Sequence, residues 1–385
     1  MGHDDPLALA QAAVERAEHE PLLGRRIAPV LAAIDAAADL LDRVAAPELQ
    51  ARLMLRVAEL ELVKQDYEGA DRALEAVGDY VPEHVPLRYL TGVRACRVAL
   101  RRGPEQRKQA RELLVGAAAQ LAQADASDPI WQRVATEVAL GAAEIGIHDE
   151  PPDHDAIEAI ALIADEASGD ARRRDVVFAC QQLLAFHAIS SGDRSRAVKS
   201  LRAVLELARS CDSAADEVEA RIALASLLVA DDDLASYEEA RHHVQRAGER
   251  AREAGLPELQ QAAQLAQAGV LASRGKTAAA IDRVLELARA ASAAGDQTAF
   301  VASVGVMAEL YARAGDAVSA FRTIAEASRA LATATGRDTA PLFTPHLAAL
   351  RDRIGADRLR QIAADVNAAN ALADELAEKS SRDPS

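Results

Sequence analysis

The chain has 385 residues, half of them hydrophobic but only 3% aromatic, and its 60 acidic against 44 basic residues give a net charge of −16. An acidic chain poor in aromatic rings lacks the basic face that phosphates need and the platforms on which single-stranded bases stack, so nucleic acid is not an expected partner. Three cysteines without paired spacing, Cys96, Cys180 and Cys211, point to a reducing compartment.

The N-terminal MGHDDPLALAQ has no basic-then-apolar leader, and no uncharged apolar run reaches the roughly 18 residues of a membrane span. A cytoplasmic protein that does not touch membranes is expected. Runs with period two are missing, so the fold class is all-α. A short helix is predicted over Pro6–Ala17 and a longer one from about Gly24 to Val44, with Leu31, Ile34, Ala38 and Leu41 on one face.

Helix pairs follow. Glu48–Val63 pairs with Tyr67–Val77 and is closed by Pro82, and Leu87–Leu100 pairs with Lys108–Ala122 across a turn holding Gly103–Pro104. A helix from Trp131 to Gly146 precedes the acidic loop His148–Asp155 and helix Ala156–Ala167. Asp175–Ser190 pairs with Ser195–Arg209, Ala215–Val229 with Tyr237–Ala254 across the acidic turn Asp231–Asp233, and Leu259–Ser273 with Ala278–Ala293. The last pair contains MAELYARAGDAVSAFRTIAEA, Met307–Ala327, and extends to about Leu331. Gly255, Gly295 and Gly336 stand where helix C-caps are wanted. Pro341–Ile354 and Ala356–Lys379 are two further helices, and Ser380–Ser385 is a polar tail.

Two rows of alanine carry the period. Ala185, Ala225, Ala268 and Ala308 in the first helices stand 40, 43 and 40 apart; Ala197, Ala240, Ala280 and Ala320 in the second helices stand 43, 40 and 40 apart. Closely crossing helices need small side chains at the crossing. Each hairpin then leaves an apolar side that only the next can cover, so the hairpins must stack.

The small residue in the first helix, the Gly-Asp turn, the early alanine of the second helix and a second alanine seven later are Ala308, Gly315–Asp316, Ala320 and Ala327; Ala58, Ala70 and Pro82 match in the first repeat. In these the chain resembles tetratricopeptide-repeat (TPR) proteins over roughly Glu48–Leu331. Its period near 40 exceeds the usual ~34, which makes it similar to the long-period arrays of kinesin light chains, MalT-like regulators and Rap-type bacterial peptide sensors. HEAT repeats share the period and are the competing fold.

The resemblance implies a right-handed superhelical α-solenoid, with capping helices over 1–47, about seven repeats over 48–336, capping helices over 337–379 and a disordered tail over 380–385. It implies that the first helices line a concave face. By register that face shows Gln182, Phe186, Ile189, Ile222, Ser226, Leu265, Gly269, Gly305, Glu309 and Arg313, and a partner's helix or extended apolar peptide would suit it; packing between repeats is the alternative use of the same residues. Gly269 and Gly305 each cost a helix about 1 kcal/mol, which a close approach of a ligand or a neighbouring backbone would explain. The Lys and Asn of the family's carboxylate clamp are absent at the matching positions, which leaves amide recognition to Gln181, Gln182, Gln264 and Gln267.

Other clusters carry less. His148, Asp149, Glu150, His154 and Asp155 read as a solvated acidic loop rather than a metal site, and His242–His243 beside Glu238–Glu239 as exposed helix charge pairs. Arg172–Arg174 and the group Arg101, Arg102, Arg107, Lys108 and Arg111 either dock an acidic partner or are solvated faces. Leu359, Ile362, Val366, Ala369, Ala373 and Leu376 form either the inner side of a cap or a seam for weak dimerisation. No Ser/His/Asp or Cys/His set, phosphate loop or cofactor motif stands out. The expected function is therefore a non-enzymatic, cofactor-free scaffold or adaptor that binds a partner peptide or helix, or else a peptide or ligand sensor whose superhelix changes pitch.

Overall fold

A computed structural model describes residues 5–20, 27–81, 83–102, 106–121, 129–146, 154–169, 174–230 and 233–368. Among them every regular element is a helix. The chain divides into two compact units, Met1–Ala220 and Arg221–Ser385.

The first unit holds α1 (Pro6–His19), α2 (Ala28–Leu41), α3 (Pro47–Val63), α4 (Tyr67–Tyr80), α5 (Val85–Arg102), α6 (Arg107–Leu121), α7 (Pro129–Gly146), α8 (His154–Ala167), α9 (Arg174–Ser190) and α10 (Arg194–Ser210). The division falls within α11 (Ala214–Leu228). The second unit continues with α12 (Leu234–Glu253), α13 (Pro257–Ser273), α14 (Thr277–Ala294), α15 (Gln297–Arg313), α16 (Ala317–Thr335) and α17 (Ala340–Ile354), then α18 over 356–368.

Within each unit successive helices pack as hairpins, and each first helix also touches the first helix of the next hairpin: α1 with α3, α3 with α5, α5 with α7 and α7 with α9 in the first unit, α13 with α15 and α15 with α17 in the second. That connectivity is the stacking of a solenoid, in which one hairpin buries the apolar side of its neighbour.

The turns are built from local chemistry. The side chains of Asp66, Asp193, Asp233 and Asp316 accept from the backbone N–H three residues on and so cap the second helix of their hairpins. In the turn between α15 and α16, Gly315 takes φ +83°, which a side chain would resist. Gly336 closes α16 in the left-handed region.

The alanine rows lie at the crossings. Ala197, Ala240, Ala280 and Ala320 are fully buried, and so are Ala225 and Ala268, with Ala185 and Ala308 nearly so. Around Ala320 the core of the last hairpin gathers Val304, Ile324, Ala327, Phe343 and Leu350. Of the 337–379 span expected to cap the array, α17 packs on the last hairpin as a further first helix, touching both α15 and α16. Leu359 of α18 packs against this core, and Ile362 and Val366 are buried. The remainder of the proposed seam, from Ala369 on, lies outside the described residues, as do Pro82, Gly103–Pro104 and the tail. No helix among the described residues is long and apolar enough to cross a membrane.

Candidate functional site

The inward positions of the second unit enclose a groove of about 610 Å3. The first helices α11, α13 and α15 supply Ile222, Leu265, Gly269, Gly305, Glu309 and Arg313, six of the ten residues picked by register, and α17 adds His346 and Leu350. Ala262, Ala266, Ala302 and Ala312 complete a floor of small side chains, which keeps the trench open. Ser226 is exposed on α11, where its hydroxyl donates to the Ile222 carbonyl at 3.0 Å. Gln182, Phe186 and Ile189 belong to α9 of the first unit, all exposed, Phe186 to 47%.

The two glycines have different reasons to be there. A Cβ on Gly269 would meet nothing within 4 Å; that position faces open groove. A Cβ on Gly305 would stand 2.3, 2.6 and 2.8 Å from Cε1, Nδ1 and Nε2 of His346. The close approach at Gly305 is thus made by a side chain of α17, neither a ligand nor a neighbouring backbone.

Polar chemistry in the groove is sparse and sharply placed. Glu309 accepts from Arg313 Nε at 2.8 Å and from Arg353 Nη2 at 2.6 Å, through the same Oε1. Two guanidiniums on one carboxylate leave a surplus positive charge at this edge. His346 has no hydrogen-bond partner among the described residues, yet neither ring nitrogen is wholly buried. Desolvation pulls its imidazole below the ordinary value, so it is neutral near pH 7. Beside the groove Gln261 of α13 donates to the Ala299 carbonyl at 2.9 Å and lies 3.3 Å from the Ser303 hydroxyl, pinning α13 to α15.

The first unit carries a feature that sequence reasoning missed. Arg56 and Arg94, each 1% exposed, lie inside the stack among Glu18, Glu59, Glu137, Glu144, Arg52, Arg97 and Arg133. Arg56 and Arg94 both pair with Glu59, and Arg94 Nη1 donates to the Leu55 carbonyl at 2.8 Å. Arg97 meets Glu137 at 2.9 Å, Arg52 meets Glu18 at 2.5 Å, and Arg133 reaches Glu18 at 3.4 Å and Glu59 at 3.5 Å. Burial would push the Glu59 carboxyl up, but the Arg94 and Arg56 guanidiniums outweigh it and hold it far below the carboxylate range. Burial and nearby Glu59 push Asp175 of α9 up instead. A signal for this network exists: Arg56, Arg94 and Arg133 recur about one repeat length apart in α3, α5 and α7, at register positions where a first helix turns inward.

His243, read from sequence as an exposed charge partner, is buried, with Nδ1 3.5 Å from Arg221 Nη1 and Nε2 3.6 Å from Glu239. Burial and Arg221 lower its pKa, so it is a neutral core histidine. Residues 147–153 of the acidic loop lie outside the described residues, as do Arg172 and Arg173 and the side chains of Arg101, Arg102 and Arg107. Among the described residues no group of three or more His, Cys, Asp or Glu could hold a metal ion.

No protein-family model and no curated protein matches the chain. Solved structures do. The STAND ATPase with a tetratricopeptide-repeat sensor from Pyrococcus horikoshii is 14% identical with a TM-score of 0.55, over 90% of this chain and 54% of that one, so this chain spans about half its length. A Rap protein complexed with Competence and Sporulation Factor is 15% identical with a TM-score of 0.50, over 94% and 98%. NprR with its cognate peptide NprX is 15% identical with a TM-score of 0.45, over 98% and 94%. The fold is that of a TPR-like helical repeat array.

Proposed function

We propose that this chain is a receptor for a short apolar peptide, seated in the groove between α11, α13, α15 and α17. The observation that carries this reading is an open, alanine- and glycine-lined trench of about 610 Å3 with few polar groups, Glu309, Arg313 and His346. Such a volume lies within the range of small-ligand sites and takes a few residues rather than a folded surface. The surplus guanidinium charge around Glu309 favours an occupant with a carboxylate. A preformed trench binds without the cost of ordering the receptor.

Displayed random heptapeptides, selected on the full chain, supply the probe. Leu265→Asp places a charge in the apolar wall and should weaken the selected peptide at least tenfold while leaving the helical circular dichroism unchanged. Amidating the peptide's C-terminus or neutralising its acidic side chain should weaken it further. A peptide indifferent to Leu265→Asp binds elsewhere, and the groove is then not the site.

The structural neighbours favour a sensing role over a passive adaptor, because one is described as carrying a TPR sensor and another is a Rap protein held with Competence and Sporulation Factor. A sensor should change its small-angle scattering when the selected peptide is added. An adaptor should not.

A further inference from the structure

We infer that His346 is the recognition residue of this groove, giving the bound peptide a hydrogen bond through an imidazole that no described residue satisfies. The inference rests on the groove reading and specifies how that site would choose its occupant.

The position of His346 follows from the repeat. Ile222, Leu265 and Gly305 occupy one inward row of successive first helices, and His346 stands in that row on α17. The apolar residue of the earlier hairpins is replaced by glycine in α15, and the imidazole of the next helix fills the space so released, with its Nδ1–Cε1–Nε2 edge where a Cβ of Gly305 would be. Gly305 therefore sets the position of the ring, because even a methyl group there would displace it. Pro345 immediately before it lies inside α17, and Leu350 one turn on is buried in the core, so the ring is mounted on a helix fixed against α15 and α16.

In the free groove only water can meet the ring's polar atoms, so an occupant that displaces this water must replace its hydrogen bonds. The buried histidine of this unit, His243, is faced by Arg221 and Glu239. His346 has no partner among the described residues, neither of its nitrogens is wholly buried, and apart from Glu309 and Arg313 the groove is lined by apolar residues and glycine. A neutral imidazole offers one N–H and one lone pair, which match the carbonyl and the N–H of a peptide main chain. A purely hydrocarbon occupant would leave both unsatisfied, so the groove selects peptide over acyl chain.

The test uses the full chain and the heptapeptide selected on it. His346→Phe keeps a ring but removes both hydrogen-bonding atoms and should weaken binding about tenfold or more, whereas His346→Gln, which keeps a donor and an acceptor, should stay within about threefold of the wild type. Gly305→Ala should weaken binding by displacing the ring. The imidazole 15N resonances of His346 should move when the peptide is added, while those of His243 stay. If His346→Phe binds as tightly as or tighter than the wild type while Leu265→Asp still abolishes binding, the ring merely fills space and the recognition role is overturned with the groove intact. If Leu265→Asp has no effect, the groove reading falls and the role of His346 falls with it.

Discussion

Arg133 of α7 places its guanidinium 3.4 Å from Glu18 of α1, linking helices that belong to the fourth and first hairpins of the first unit. The same side chain lies 3.5 Å from Glu59 on α3. Curvature in this unit is therefore held by charges that meet across the inside of the stack, as well as by alanines at the crossings.

Removing one member should be costly. Glu59→Ala leaves Arg56 and Arg94 buried without their shared carboxylate, and breaking such a pair from one side costs about 3–5 kcal/mol. Urea denaturation should register that loss, accompanied by an altered near-ultraviolet signal of Trp131 on α7. Glu286→Ala, which removes an exposed partner of Arg283, should cost about 0–1 kcal/mol. Equal effects from the two would mean the inner network is solvated.

Acid should loosen the first unit before general unfolding. Burial opposes ionisation of Glu18, Glu59 and Glu137, but their arginine partners prevail, so each folded carboxyl lies below its ordinary 4.5. A depressed folded pKa contributes stability that is complete above pH 4.5 and lost as pH falls through the folded value. Asp175, raised in the fold, acts in the opposite sense and offsets part of this above its ordinary 3.8. Melting temperature should fall steadily as the pH is lowered below 4.5, and the Glu59→Gln variant should show a shallower fall.

The crossings should tolerate no added volume. Ala320 is fully buried between Val304, Ala308 and Ile324. Ala320→Leu should destabilise by about 1–3 kcal/mol through overpacking. A neutral result would mean the helices of that hairpin can separate freely.

The two groove glycines should respond in opposite directions. Gly269→Ala adds a methyl group into open space and a better helix former, so it should stabilise the free chain by about 0.5–1 kcal/mol. Gly305→Ala should gain nothing or lose, since its methyl group lands on His346. Thermal melts of the two variants side by side check this.

The contrast between these features explains what could be read from sequence. Ala185, Ala225, Ala268 and Ala308 announce the hairpins because a crossing admits only small side chains, and the Asp residues of the turns announce helix starts because their carboxylates cap locally. Both signals live within a repeat and return with it. His346 was hidden because α17 reads as an end piece: its meaning appears only when Gly305, on another helix, is seen to make room for it. Arg56 and Arg94 were hidden for another reason. Charged residues are usually surface residues, and only stacking three further first helices around Glu59 turns them into an interior.

The bridge from Arg133 back to Glu18 also bears on how such a chain could be lengthened or shortened. Modular arrays grow by duplicating one unit, because each member needs only the members beside it. In the first unit a hairpin inserted or deleted between α1 and α7 would carry Arg133 out of reach of Glu18, so that segment resists being lengthened or shortened. The hairpins α13–α14 and α15–α16, joined by alanine contacts and the Gln261 clasp, are where an engineer could splice in one more.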